Sequence, residues 1–226
     1  MNFLISELFL GLSSLLGMFW LSFVKVKSSY LTDYLIKLIV PIFLVFIWLN
    51  INLYGINVEI YFSTMFLDEG RIFFKISIAC IILCILISSL SYFLKLRVEV
   101  VEYSLLVVLS VLGTFLVVLS NDFFFFFLAL ELQNLGFYVL AALQRYESKS
   151  VEAGIKYYIM GSLSSSLILF GIVILYGFFG TLNFFELKIL VSELNLLDNN
   201  FLLVYFALCF VFCGLAFKLG VAPFHW

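Results

Sequence analysis

Charge is scarce in this chain. Lys, Arg, Asp and Glu together make up 12% of its 226 residues, about half the share of a soluble domain. That excludes a soluble globular protein. The net charge of −2 gives no basis for binding nucleic acid or acidic substrates. Histidine occurs once, as His225. The four cysteines form two i, i+4 pairs, Cys80/Cys84 and Cys209/Cys213, with no CxxC spacing and no neighbouring histidine. They therefore read as small apolar packing residues, not as metal or cluster ligands. No glycine-rich dinucleotide fingerprint is present. No cofactor and no metal are expected in this chain. There are 2 prolines against 29 phenylalanines, a bias that fits an A+T-rich coding genome such as an organelle's. The N-terminus has no basic leader and an early acid, Glu7. It fits neither a secretory signal nor a transit peptide and reads as a first span. Such a chain is made in its own compartment or inserted by its helices.

Apolar residues are what the chain has: 65% of the total, with a mean hydropathy of +1.23. The class is an all-α polytopic membrane bundle with about seven spans. The segments run roughly Leu4–Val24, Tyr34–Leu53, Ile72–Leu94, Tyr103–Ser120, Asp122–Leu143, Val151–Phe179 and Phe201–Gly220. Each is expected to be helical, since lipid offers the backbone no hydrogen bonds. Basic residues crowd one set of loops: Lys25, Lys27 and Lys37, then Lys95 and Arg97, then Arg145, Lys149 and Lys156. The other side has Arg71, Lys75 and Lys188. The bias places the N-terminus on the outer side.

The fifth segment, Asp122 to Arg145, carries Glu131 in its middle. At 1.5 Å per residue the acid lies about 13 Å into a core about 30 Å thick. A charge there costs on the order of 3 kcal/mol and is a functional-site hypothesis by default. Asn134 and Tyr138 share its helix face. The link Ser120-Asn121-Asp122 makes spans four and five antiparallel neighbours, with Asn121 or Asp122 as N-cap. In span six, Gly161/Ser165 and Ser162/Ser166 are small-xxx-small pairs. They suit close helix packing, or a hydroxyl proton wire. Phe184, Phe185, Ile189 and Leu190 suit an amphipathic piece on the membrane surface. The alternation over residues 57–62 suits a short hairpin.

Lys218 is the only charge in span seven. About 25 Å along the helix, it either snorkels to the inner surface or is a functional buried lysine. Gly214 and Val211 share its face, which suggests open space for the ammonium. Gly220 and Pro223 mark a break in the helix. The chain ends three residues later without a polar tail, as though cut within a span.

Residues 128–135 (LALELQNL), 138–142 (YVLAA), 152–158 (EAGIKYY), 161–162, 175–177, 180–184 (GTLNF) and 217–226 (FKLGVAPFHW) resemble subunit 2, the bacterial subunit N, of NADH:ubiquinone oxidoreductase (complex I). The resemblance covers residues 120–226. It implies the N-terminal part of an antiporter-like inverted-repeat fold with a broken seventh helix. Residues 1–102 would be three leading helices and 103–226 the first part of the repeat. By the same resemblance Glu131 and Lys218 are members of a proton-carrying axis, and His225 is the histidine beyond the break. The implied partners are other membrane-arm subunits, which hold the flavin and iron–sulfur clusters, and a second chain completing a split subunit. The implied setting is the mitochondrial inner membrane, with the N-terminus on the intermembrane-space side, or a bacterial plasma membrane. Two rival readings are a subunit of a multi-subunit sodium/proton antiporter and a purely structural element.

Overall fold

The computed structural model describes residues 6–13, 16, 28–60, 63–96, 100–193 and 199–222. Pro223 and His225 lie outside them. The order is α1 (residues 6–13), α2 (Ser28–Asn52), β1 (Val58–Ile60), β2 (Met65–Leu67), α3 (Glu69–Leu96), α4 (Val100–Leu119), α5 (Phe123–Ala141), α6 (Ser148–Phe179), α7 (Phe184–Glu193) and α8 (Asn199–Leu219). Among the described residues four helices (within α3, α5, α6 and α8) are long and apolar enough to cross a membrane, by length and composition. Shorter apolar stretches occupy Val40–Asn52 of α2 and Leu105–Leu119 of α4. The expected count of seven thus stands at four on that criterion.

The helices form two packed groups joined along α4 and α5. The first group buries Leu10 of α1, Phe43 and Phe46 of α2, Ala79 and Leu86 of α3, and Val108, Val111, Leu112 and Phe115 of α4. Phe46 and Phe115 stack at 4.5 Å. The second group packs α6 along α8 through Ile168, Ile172 and Val211, and through Leu175, Val204 and Ala207. The seams are narrow because glycines line them. A Cβ on Gly113 of α4 would lie 2.5 Å from the Gln133 nitrogen of α5. A Cβ on Gly171 of α6 would lie 2.6 Å from the Ala207 carbonyl oxygen of α8. No side chain fits at such distances, so the backbones approach only where hydrogen is the substituent.

One end of the bundle is tied together by polar contacts. The expected hairpin forms there, with β1 antiparallel to β2 and Glu59 opposite Phe66. Asn121 donates from Nδ2 to the Ser63 carbonyl at 2.9 Å. Asn183 donates to the same carbonyl at 3.1 Å, and its Oδ1 accepts from the Phe185 nitrogen at the start of α7. Arg71 donates to the carbonyls of Phe66 (2.8 Å) and Leu119 (2.9 Å). It therefore closes the C-terminus of α4, where cations suit the helix dipole. The expected N-cap of α5 is Asp122, whose Oδ1 accepts from the nitrogens of Phe124 and Phe125. Asp122→Ala is expected to lower stability by about 1 kcal/mol. A thermal unfolding midpoint measured in detergent checks it.

The sequence-expected surface piece after span six is the ten-residue helix α7, with Phe185 and Ile189 facing outward. Two expectations are corrected. The four cysteines are exposed on the outward faces of α3 and α8, so they do not pack inside this chain. Gly214 does not leave open space beside Lys218. A Cβ there would lie 2.7 Å from the Ser164 carbonyl oxygen of α6, so the gap is already filled by another helix.

Candidate functional site

Glu131 lies eight residues into α5, about 12 Å along the helix. Lys218 lies one residue before the end of α8. The packing of α6 against α8 brings them together. Gly171 faces Ala207, and Ser164 faces Gly214, in antiparallel register. Lys218, four residues past Gly214, is therefore level with about residue 160 of α6, close to the middle of that 32-residue helix. The lysine does not snorkel outward. Its Nζ is 3.3 Å from Glu131 Oε1, with the two side chains 13% and 30% exposed.

Asn134 donates from Nδ2 to the same Oε1 at 3.3 Å, so the shared face expected of Glu131 and Asn134 is realised as a contact. One carboxylate oxygen thus takes a charge-assisted bond and an amide bond, which holds it in place. Tyr138 continues the face. It is buried, with ring contacts at 5.0 Å to Tyr157 and 5.5 Å to Tyr158 of α6. Its hydroxyl points at Gly161, where a Cβ would collide with it. Among the described residues that hydroxyl has no hydrogen-bond partner.

The serines of α6 do not build a wire. Ser162, Ser164, Ser165 and Ser166 each donate to the carbonyl three residues back, at 2.6–3.0 Å. Their hydrogens are bound within their own helix. Ser164 and Ser165 are buried and act as small packing residues. No group of three or more His, Cys, Asp or Glu comes together among the described residues.

The described core of the site is therefore an acid, an amide and a phenol on α5 and an amine on α8. Such a set can hold and pass protons. The family model for NADH:quinone oxidoreductase/Mrp antiporter membrane subunits matches residues 120–226, the stretch that contains every one of these groups. Residues 120–226 belong to this family.

Its sequence relatives include the NADH-quinone oxidoreductase subunit N of Pelagibacter ubique, 32% identical over all of this chain and 46% of that protein. The subunit N of Bartonella bacilliformis is 38% identical over 73% of this chain and 33% of that protein. The chain thus spans less than half the length of those relatives. Its fold is similar to a chain of respiratory complex I from Thermus thermophilus, with a TM-score of 0.74 at 20% identity over 97% of this chain and 45% of that one. It is also similar to a chain of the Mrp complex of a Dietzia species, with a TM-score of 0.72 at 20% identity over 98% and 42%. The antiporter-like helical fold of this family is what the three-dimensional match establishes.

One feature of the interior was not foreseen. Lys75, counted above among the outer-side basic residues, is completely buried and paired with Glu7. By sequence alone Glu7 argues only against a leader. The available signal was that each charge sits alone in an apolar segment, and that the two have opposite sign.

Proposed function

We propose that this chain carries one proton-translocating acid–base pair of the membrane arm of an NADH:quinone oxidoreductase. The observation that carries the reading is the contact between Glu131 and Lys218 inside the bundle. Ionised Glu131 holds the Lys218 ammonium in contact at 3.3 Å. When Glu131 is neutralised, or moved off, Lys218 loses that support and releases a proton from Nζ. Glu131 is the switching carboxylate and Lys218 the proton carrier. Asn134 orients Glu131, and Tyr138 extends the polar face. His225 is a proton acceptor beyond the end of α8.

Expelling one charge against the membrane potential takes about 2.3 kcal/mol per 100 mV, so the energy comes from elsewhere in the assembly. The partners are the other membrane-arm subunits, with flavin and iron–sulfur clusters in the subunits that oxidise NADH. The relatives are about twice as long as this chain. The setting is the mitochondrial inner membrane, with the N-terminus toward the intermembrane space.

A second reading, a subunit of a sodium/proton exchanger, draws on the similarity to the Dietzia chain. Mild solubilisation of the native membrane and mass spectrometry of co-migrating chains separate the two. The expected result is one very large assembly with flavin and iron–sulfur subunits and a second chain carrying the remaining helices. Migration with antiporter-like chains alone overturns the first reading in favour of the second.

A further inference from the structure

A second pair of opposite charges lies inside the bundle, among the first group of helices. Lys75 of α3 is fully buried and donates from Nζ to Oε1 of Glu7 in α1, itself 6% exposed. The Ser6 hydroxyl donates to the other oxygen, Oε2, at 2.8 Å. The ring of Phe46 in α2 lies 5.6 Å from the ammonium. An ammonium has three hydrogens to donate. Among the described residues Lys75 meets one acceptor group and one ring face.

A third polar group stands over this pair. Asn50 lies one turn beyond Phe46 on the same face of α2 and is fully buried. Its Nδ2 donates to the Phe46 carbonyl at 2.8 Å. Its Oδ1 is buried with no partner among the described residues. Buried carbonyl oxygens in that state are completed by ordered water. Depth orders these groups from the hairpin end. Asn50 is two residues from the end of α2, about 3 Å down, and Lys75 is six residues into α3, about 9 Å down. Asn50 thus lies between the hairpin face and the ion pair. The neighbouring charges are engaged: Arg71 on carbonyls, and Asp68 with the Arg71 nitrogen.

Holding α1 against α3 does not require charge. A well-packed apolar pair does so as well or better, because desolvating two ions offsets their attraction. Charges within a bilayer are rare and mark ion paths.

We propose that Glu7 and Lys75 form a second proton-exchanging centre, separate from Glu131 and Lys218 and discharging to the hairpin side past Asn50. In the exchange an N–H bond of Lys75 breaks and an O–H bond forms on Glu7 Oε1, leaving a neutral amine and a carboxylic acid. Glu7 then passes that proton to water at Asn50, which leaves as hydronium. The amine is recharged by a proton from the opposite side of the bundle, so each cycle moves one proton toward the hairpin side. This centre deepens the proton-translocation reading and rests on it for its pumping readout.

The test uses the intact assembly in native membrane vesicles. E7K/K75E, which exchanges the charges, and E7L/K75L, which removes them, are both expected to assemble. E7K/K75E is expected to keep pumping, and E7L/K75L to lose part of the protons pumped per electron. Infrared difference spectra on energising with NADH give an independent readout. A carboxylic-acid C=O band, shifted in D₂O, is expected in the native protein and absent in E7Q. Full assembly and unchanged pumping in E7L/K75L would make the pair a packing lock and overturn the proposal. If E7L/K75L does not assemble, the E7Q spectrum decides: an unaltered band overturns the centre. E131Q is run in parallel. Unchanged pumping there removes the proton-translocation reading, while the infrared band still decides the role of Glu7.

Discussion

Lys218→Met, made in the intact assembly, is expected to cut proton translocation by about a hundredfold, the low end of what a positioned proton-transfer group contributes. The assembled protein should remain in the membrane. Methionine matches the length of the lysine stem, so the packing of α8 against α6 through Ala207, Val211 and Gly214 is kept. What goes is the cation 3.3 Å from Glu131. Glu131 then has no cation to exchange a proton with. The pair then has no state left to switch. Glu131→Gln is the complementary variant. It keeps shape and a hydrogen-bonding oxygen but removes the charge that supports the lysine. The measurement is protons pumped per NADH oxidised in sealed vesicles. An unchanged ratio in Glu131→Gln would refute the mechanism, and unchanged pumping in Lys218→Met would favour a structural role. Because the groups form one unit, the double variant should lose little more than either single one.

The second large effect concerns a residue with no chemistry. Gly214→Val is expected to destabilise the bundle by at least about 1–3 kcal/mol, the usual cost of overpacking. It should also abolish coupling between Glu131 and Lys218. A Cβ at this position already meets Ile168 Cγ1 at 2.5 Å and the Ser164 carbonyl oxygen at 2.7 Å. The isoleucine tip can turn aside, but the carbonyl belongs to the backbone of α6. The helices must separate, and Lys218 lies only one turn further along α8. Gly177→Ala is the control. It is in α6, with nothing within 4 Å of an added Cβ. It should be neutral, or stabilising by a few tenths of a kcal/mol up to about 1 kcal/mol from helix propensity. Thermal unfolding in detergent measures the stabilities, and vesicle pumping measures the coupling. Equal behaviour of the two variants would show that the α6–α8 seam does not set the position of Lys218.

Several local features were legible because their causes are local. The N-cap at Asp122 follows from a polar residue directly before an apolar run. The hairpin after α2 follows from alternation between turns. The end of α8 follows from Gly220, which adopts a φ of 62° while the nitrogens of Gly220 and Val221 bond back to Phe217 and Ala216. The face shared by Glu131, Asn134 and Tyr138 follows from helical periodicity alone.

Other features depend on how far one helix is displaced along another, which no local pattern encodes. The sequence by itself determined the membrane class, the helical elements, and a costly acid in the middle of a span, because hydropathy and periodicity are properties of each segment. Only the tertiary structure decided that Lys218 is level with Glu131, that Gly214 is filled and not open, and that Glu7 and Lys75 meet. Each of these is fixed by the longitudinal register of packed helices. Between α6 and α8 that register is set where Gly171 and Gly214 let two backbones touch.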